Sequence, residues 1–239
     1  MKKRGIALFF VLLVTLIPLL PTAACSRSGS ADAAQTIAEW QENYTAGAFG
    51  IRSKKDPFVE FELSNGDSIR VELYPSVAPI SVRNFLRYVE EGFYDGVVFH
   101  RIISGFMIQS GGFAEEDDKI VLKEASYPAI KGEFASNGVR NDLSHTRGVI
   151  SMARATAPDS ATSQFFICSE ISAENTEALD GRYAAFGRVI DEESMAAVLR
   201  LEKVRTGTAY LYYGTYPQLS SDVPVETVSV KKATALQVK

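Results

Sequence analysis

Histidine and cysteine are scarce. The 239-residue chain has two of each, His100 and His145, Cys25 and Cys168, which is too few for a zinc site of clustered imidazoles and thiolates or for a disulfide framework. An excess of positive charge is also missing: 25 Lys and Arg stand against 29 Asp and Glu, a net charge of −4, so the electrostatic footprint of a nucleic-acid binder is absent. The sequence has no Walker loop and no Gly-x-Ser-x-Gly elbow, which removes two familiar routes to nucleotide binding and serine catalysis. What is present is the composition of a globular chain, 46% hydrophobic and 23% charged, long enough to bury a sizeable core without covalent staples.

The one long apolar run, over 6–20, follows Lys2, Lys3 and Arg4 and breaks at Pro18 and Pro21 before Thr22-Ala23-Ala24-Cys25. It falls short of the about 20 apolar residues of a spanning helix and has the layout of an export signal. Residues 1–24 are therefore expected to be removed. The small pair before Cys25 resembles a bacterial lipoprotein processing site, so Cys25 is the expected lipid attachment point, with plain cleavage after Ala24 as the alternative. Loss of 1–24 takes away three positive charges and leaves an acidic domain of net charge −7. Residues 25–56, Ser-, Ala- and Gly-rich over 26–50, read as a tether to the membrane, with a short helix where Ile37, Trp40 and Tyr44 share a face. The expected location is the bacterial cell envelope.

The folded domain is expected over 57–239. Val59, Phe61 and Leu63 alternate with polar residues, Asn65-Gly66 supplies a turn, and Ile69, Val71 and Leu73 alternate again, which predicts a β-hairpin. Val82, Phe85, Leu86 and Val89 predict a helix over 79–92, and Met195, Val198 and Leu199 a second over 192–204 with Asp191 or Ser194 as cap. Short strands are predicted over 97–102, 106–109, 149–153, 165–168 and 225–230, the last preceded by a Tyr-rich loop. The acidic run 115–118 reads as a solvated loop. Many strands with two separated helices predict a closed antiparallel β-barrel with covered ends. Cys168, in an apolar run, is expected to be a buried structural thiol.

Two segments stand out chemically. Phe99-His100-Arg101-Ile102-Ile103-Ser104-Gly105-Phe106-Met107-Ile108-Gln109 sets one arginine among large apolar side chains, and Ser160-Ala161-Thr162-Ser163-Gln164-Phe165-Phe166-Ile167 follows later. Together with Arg140-Asn141, Thr146-Arg147-Gly148, Ser151-Met152-Ala153-Arg154 and Phe186-Gly187-Arg188-Val189, matched in order over about 57–230, they resemble the cyclophilin family of peptidyl-prolyl cis-trans isomerases, nearest its bacterial exported branch. The resemblance implies a mostly β fold, a closed eight-stranded antiparallel barrel capped by two α-helices. It implies Arg101 as the catalytic residue, Phe106, Met107, Phe166 and Leu179 as the proline pocket, and Gln109, Ala153, Arg154 and Gln164 as the groove for the peptide backbone. Tyr183 stands beside the pocket where many relatives carry His, and Ala178 where a large aromatic is usual.

Isomerisation of an X-Pro bond breaks no bond and is expected to need neither metal nor cofactor. It faces ~18–20 kcal/mol because resonance gives the amide partial double-bond character. An apolar slot for the ring, with a fixed cation facing the nitrogen, suits that task. The expected protein is thus a membrane-tethered monomer that isomerises proline-containing segments of envelope proteins. The competing readings are a cyclophilin-fold module that binds such segments with little turnover, and a surface lipoprotein whose barrel is only a scaffold.

Overall fold

A computed structural model describes residues 52–53 and 55–236. The expected export signal, the lipidation site Cys25, the helix around Trp40 and the last three residues lie outside the described residues.

The predicted hairpin forms β1 (Phe58–Leu63) and β2 (Ser68–Leu73). Its turn is held by Asn65, whose side-chain oxygen accepts the Asp67 N–H at 3.1 Å. The chain continues through α1 (Pro79–Glu90), β3 (Arg101–Ile103), β4 (Met107–Ser110), β5 (Phe113–Glu116), β6 (Lys119–Leu122), β7 (Val149–Met152), β8 (Phe165–Cys168), α2 (Ala173–Leu179), β9 (Ala185–Val189), α3 (Glu192–Glu202), β10 (Thr206–Tyr213), β11 (Tyr216–Pro224) and β12 (Val230–Leu236).

Eight strands form one antiparallel sheet in the order β12-β1-β2-β9-β7-β8-β4-β3. The expected closed barrel is in fact a curled half-barrel whose edge strands β12 and β3 share no ladder. Residues 97–99, just before β3, cross the gap instead, with Val230 N–H to Val97 C=O at 2.8 Å and Phe99 N–H to Val228 C=O at 3.0 Å. This stitch is too short to count as strand pairing, because β3 has only three residues and β12 begins only at Val230. The final strand accordingly lies later than the expected 225–230.

Three α-helices, rather than two, accompany the sheet among the described residues. In α1, Val82, Phe85, Leu86, Tyr88 and Val89 are buried, and Pro79 opens the helix at a position where its missing N–H is no loss. No side chain caps α1 locally. The buried Glu133 supplies the cap from a distant loop, accepting Ile80 N–H at 3.0 Å and Ser81 N–H at 2.7 Å, a carboxylate at the positive end of the helix. In α3, Asp191 accepts the Ser194 N–H at 2.7 Å, as its cap role requires. Helix α2, which the spacing of apolar residues does not predict, is capped by Ser172 and buries only Leu179.

The core joins α1 to the concave face of the sheet through rings: Phe61 stacks on Phe165 at 5.4 Å, and Phe85 meets Phe165 edge-on at 5.4 Å and Phe186 at 5.0 Å. Aromatic pairs of this kind add to the value of the buried area. A second sheet, β11-β10-β6-β5, replaces two expected loops. The Tyr-rich stretch is the hairpin β10–β11, which seats Leu211 and Val223 against Val98 and Phe113. It leaves Tyr210, Tyr216 and Leu219 exposed. The acidic run is the end of β5 and a tight turn in which Asp117 and Asp118 adopt φ of 47° and 58°, a conformation Asp tolerates.

Candidate active site

Strands β3, β4 and β8 lie side by side, and their register decides what faces outward together. Arg101 is opposite Gln109, and Gln109 is opposite Phe166. Along β8 the side chains alternate. Phe165 goes into the main core, and Phe166 joins a separate apolar cluster with Met107, Val149 and Leu179.

That second cluster floors an open cavity of about 380 Å³. Arg101, Phe106, Met107 and Gln109 line it from β3, β4 and the turn between them. Ala153 and Arg154 line it from the end of β7, Phe166 from β8, and Leu179 and Tyr183 from α2 and the loop after it. These are the predicted site residues except Gln164. Gln164 stands just behind, accepting a hydrogen bond from Gln109 Nε2 at 2.9 Å, and Gln109 Oε1 in turn accepts from Arg101 Nη1 at 3.4 Å. Two glycines make room for this chain of amides. A Cβ on Gly111, where φ is +90°, would lie 2.7 Å from the Ser163 carbonyl oxygen, and one on Gly112 would lie 2.5 Å from the Gln164 side chain.

The Arg154 side chain is tied to the neighbouring loop. Its side chain donates to the Arg182 carbonyl at 3.0 Å and to Ala155 C=O at 2.9 Å, and its guanidinium lies 4.5 Å from the centre of the Tyr183 ring. The arginine thus braces the 182–183 loop and holds Tyr183 edge-on to Phe166 at 5.9 Å. Ala178 sits on α2 and accepts from Arg182 Nη1 at 3.2 Å.

Sequence reasoning missed the support behind the cavity. His145 is buried, its Nδ1–H donates to Asp180 Oδ1 at 2.8 Å, its Nε2 accepts from Ser151 Oγ at 3.0 Å, and its ring stacks on Phe166 at 6.0 Å. Burial pushes the His145 imidazole below its ordinary range against the pull of Asp180. Burial alone would raise the Asp180 carboxyl, but hydrogen bonds from Ser144 and His145 outweigh it and hold it low. A neutral imidazole between a carboxylate and a hydroxyl is the outcome. Ser151 is fully buried, so no substrate carbonyl reaches its oxygen, and the Ser-His-Asp arrangement acts as a brace rather than as a nucleophile. The signal was scattered over 145, 151 and 180, and only the fold assembles it.

The other candidates are structural. Burial pushes the Cys168 thiol up to about 12 and the His100 imidazole down to about 4. No group of three or more His, Cys, Asp or Glu side chains suited to a metal ion occurs among the described residues. No helix among them is long and apolar enough to cross a membrane.

Chemically the cavity offers an apolar slot, two guanidinium groups at its edge, the exposed Arg101 and the braced Arg154, and a row of amides beside them. Comparison with known proteins identifies the family. Residues 58–235 match the family described as "Cyclophilin type peptidyl-prolyl cis-trans isomerase/CLD". The chain is 42% identical over 169 residues to a peptidyl-prolyl cis-trans isomerase of Acinetobacter baylyi, covering 70% of this chain and 81% of that one. It is 38% identical over 180 residues to peptidyl-prolyl cis-trans isomerase B of Escherichia coli K12, covering 74% and 98%. Among solved structures, a cyclophilin type isomerase of Cryptosporidium parvum matches with a TM-score of 0.54 at 24% identity, over 75% of this chain and 97% of the other, which shows a shared fold.

Proposed function

Because the chain belongs to the cyclophilin-type peptidyl-prolyl cis-trans isomerases, we propose that the cavity beside Arg101 receives the proline of an X-Pro segment and that Arg101 assists rotation about its imide bond. The enzyme is a peptidyl-prolyl cis-trans isomerase, and the family implies proline-containing polypeptides as its substrates. The observation that carries the site assignment is the joining of one exposed guanidinium with Phe106, Met107, Phe166 and Leu179 around a single cavity.

The geometry suits the reaction. The apolar walls grip the pyrrolidine ring and exclude water from it, while the preceding carbonyl swings outside the slot. At half rotation amide resonance is lost, and the prolyl nitrogen regains a lone pair that accepts a hydrogen bond. Arg101 donates it. A guanidinium presents several donors in a fixed plane, and the Gln164–Gln109 pair orients that plane. The donor bonds more strongly to the twisted nitrogen than to either planar form, and this difference lowers the barrier. Gln109, Gln164, Ala153 and Arg154 flank the path of the peptide backbone.

The test is cis–trans exchange of an X-Pro peptide. The protein accelerates it, and Arg101→Ala reduces kcat/KM at least ~10-fold, equivalent to about 1.4 kcal/mol of barrier. Binding of proline peptides without acceleration by the wild type would instead make the chain a binding module.

We also infer that the enzyme works as a monomer at the cell envelope, assisting the folding of exported proteins, after removal of residues 1–24 and lipidation of Cys25. The basic start, the apolar run and the Ala23-Ala24-Cys25 sequence support this. Stable anchoring follows from attachment of more than one acyl chain. The mature protein then partitions into detergent and Cys25→Ser releases it; unchanged partitioning of the variant would refute the anchor.

A further inference from the structure

Glu202 is the last residue of α3. A helix C-terminus favours cations, because the unpaired carbonyls there carry partial negative charge, so a carboxylate at this position does nothing for the helix. It is nevertheless 6% exposed, and it forms no salt bridge among the described residues. What it does have is two donors on other elements. Its Oε1 accepts the Gly105 N–H at 2.6 Å and the Ser169 hydroxyl at 2.8 Å.

Both partners belong to the frame of the cavity. Gly105 lies in the turn between β3 and β4 with φ of +73°, a conformation that side-chain-bearing residues resist. The turn is closed by Phe106 N–H to Ile103 C=O at 3.1 Å, and Ser169 N–H holds the Phe106 carbonyl at 3.0 Å. Phe106 and Met107, which follow Gly105 directly, form one wall of the cavity. One oxygen atom therefore ties helix α3, the β3–β4 turn and the residue after β8 together, directly behind that wall.

We propose that Glu202 is a positioning residue for the isomerase, holding the β3–β4 turn so that Phe106 and Met107 meet the proline ring. This rests on the cavity being the proline site. The ring occupies the slot in the planar and twisted states alike, so a loosened wall weakens ground-state and transition-state binding about equally. The signature is a raised KM with kcat retained, the opposite of what loss of the Arg101 donor produces.

The experiment is steady-state isomerisation of an X-Pro peptide by the full chain and three variants. Glu202→Ala raises KM about tenfold and leaves kcat within about twofold. Glu202→Asp, which keeps the charge and withdraws the acceptor by one methylene, behaves like Ala. Glu202→Gln, which drops the charge and keeps an oxygen at the same reach, stays within about twofold of wild type. The Asp and Gln variants decide the matter even where Ala does not fold. Wild-type KM in the Asp variant, a Gln variant as impaired as Asp, or a loss in kcat alone each overturns the proposal. If the wild type itself accelerates nothing, the assignment of the cavity fails and this inference falls with it; an active wild type with unaltered variants defeats the inference alone.

Discussion

Arg101 and Gln109 are direct cross-strand partners in the β3–β4 ladder, and their side chains meet at 3.4 Å while Gln109 hands a hydrogen bond on to Gln164 at 2.9 Å. The cation at the cavity rim is thus held by an amide that is itself held. Orientation matters here as much as charge.

Arg101→Lys tests that distinction. Lysine keeps the charge but loses the planar set of donors. We expect kcat/KM to fall about tenfold, close to the loss in Arg101→Ala. An assay of X-Pro exchange in which Lys recovers wild-type turnover would show that a point charge suffices.

Adjacent residues of β8 predict opposite phenotypes. Phe165, fully buried among rings, has a core role, and Phe165→Ala is expected to cost about 3–5 kcal/mol in urea unfolding. Phe166→Leu retains an apolar wall of reduced size, so about 1–2 kcal/mol is expected, together with a raised KM for proline peptides.

His100 sets a pH dependence of stability. Burial lowers its native pKa from 6.5 to about 4, and Nδ1 has no hydrogen-bond partner among the described residues. Between those values the unfolded chain binds a proton that the native imidazole refuses, so stability falls as pH drops from about 6.5 toward 4, by an amount on the order of 3 kcal/mol. His145, shifted in the same direction, adds to the slope. His100→Phe should flatten the difference between unfolding midpoints at pH 7 and pH 4.5. A variant with the wild-type slope would contradict the assignment.

Glu72 predicts where the chain loosens first. Its buried carboxylate accepts the Arg52 and Ser53 N–H groups, both at 2.7 Å, and so fastens the start of the domain to β2. Glu72→Ala is expected to speed tryptic cleavage after Arg52 and to lower stability by about 1–3 kcal/mol. Unchanged cleavage would mean that other contacts hold this segment.

The sequence reveals elements whose pattern is local. The β1–β2 hairpin, α1 and α3 follow from alternation, helical spacing and turn residues, whereas the cavity lining is legible only through the family resemblance, because it draws on segments far apart in the chain. The misreadings have physical causes. The Tyr-rich stretch reads as a loop because its aromatic residues lack strict alternation, yet Tyr has high β-propensity and Gly214, at φ of +61°, supplies the turn of the β10–β11 hairpin. The α2 helix shows no apolar face because it buries a single residue. The open seam between β3 and β12 depends on strand lengths that alternation does not fix. Glu133 at the α1 terminus, Glu202 behind Phe106 and the His145 brace are contacts across 30 or more positions of chain, beyond the reach of any local pattern.

Strand β8 has no neutral way to slip. A shift of one residue would turn every side chain to the opposite face, driving Phe166 into the ring cluster and presenting Phe165 at the cavity. A chain that pairs these four residues out of step would also exchange Ile167 of the main core with Cys168 of the cavity cluster, so one register serves the interior and the site together.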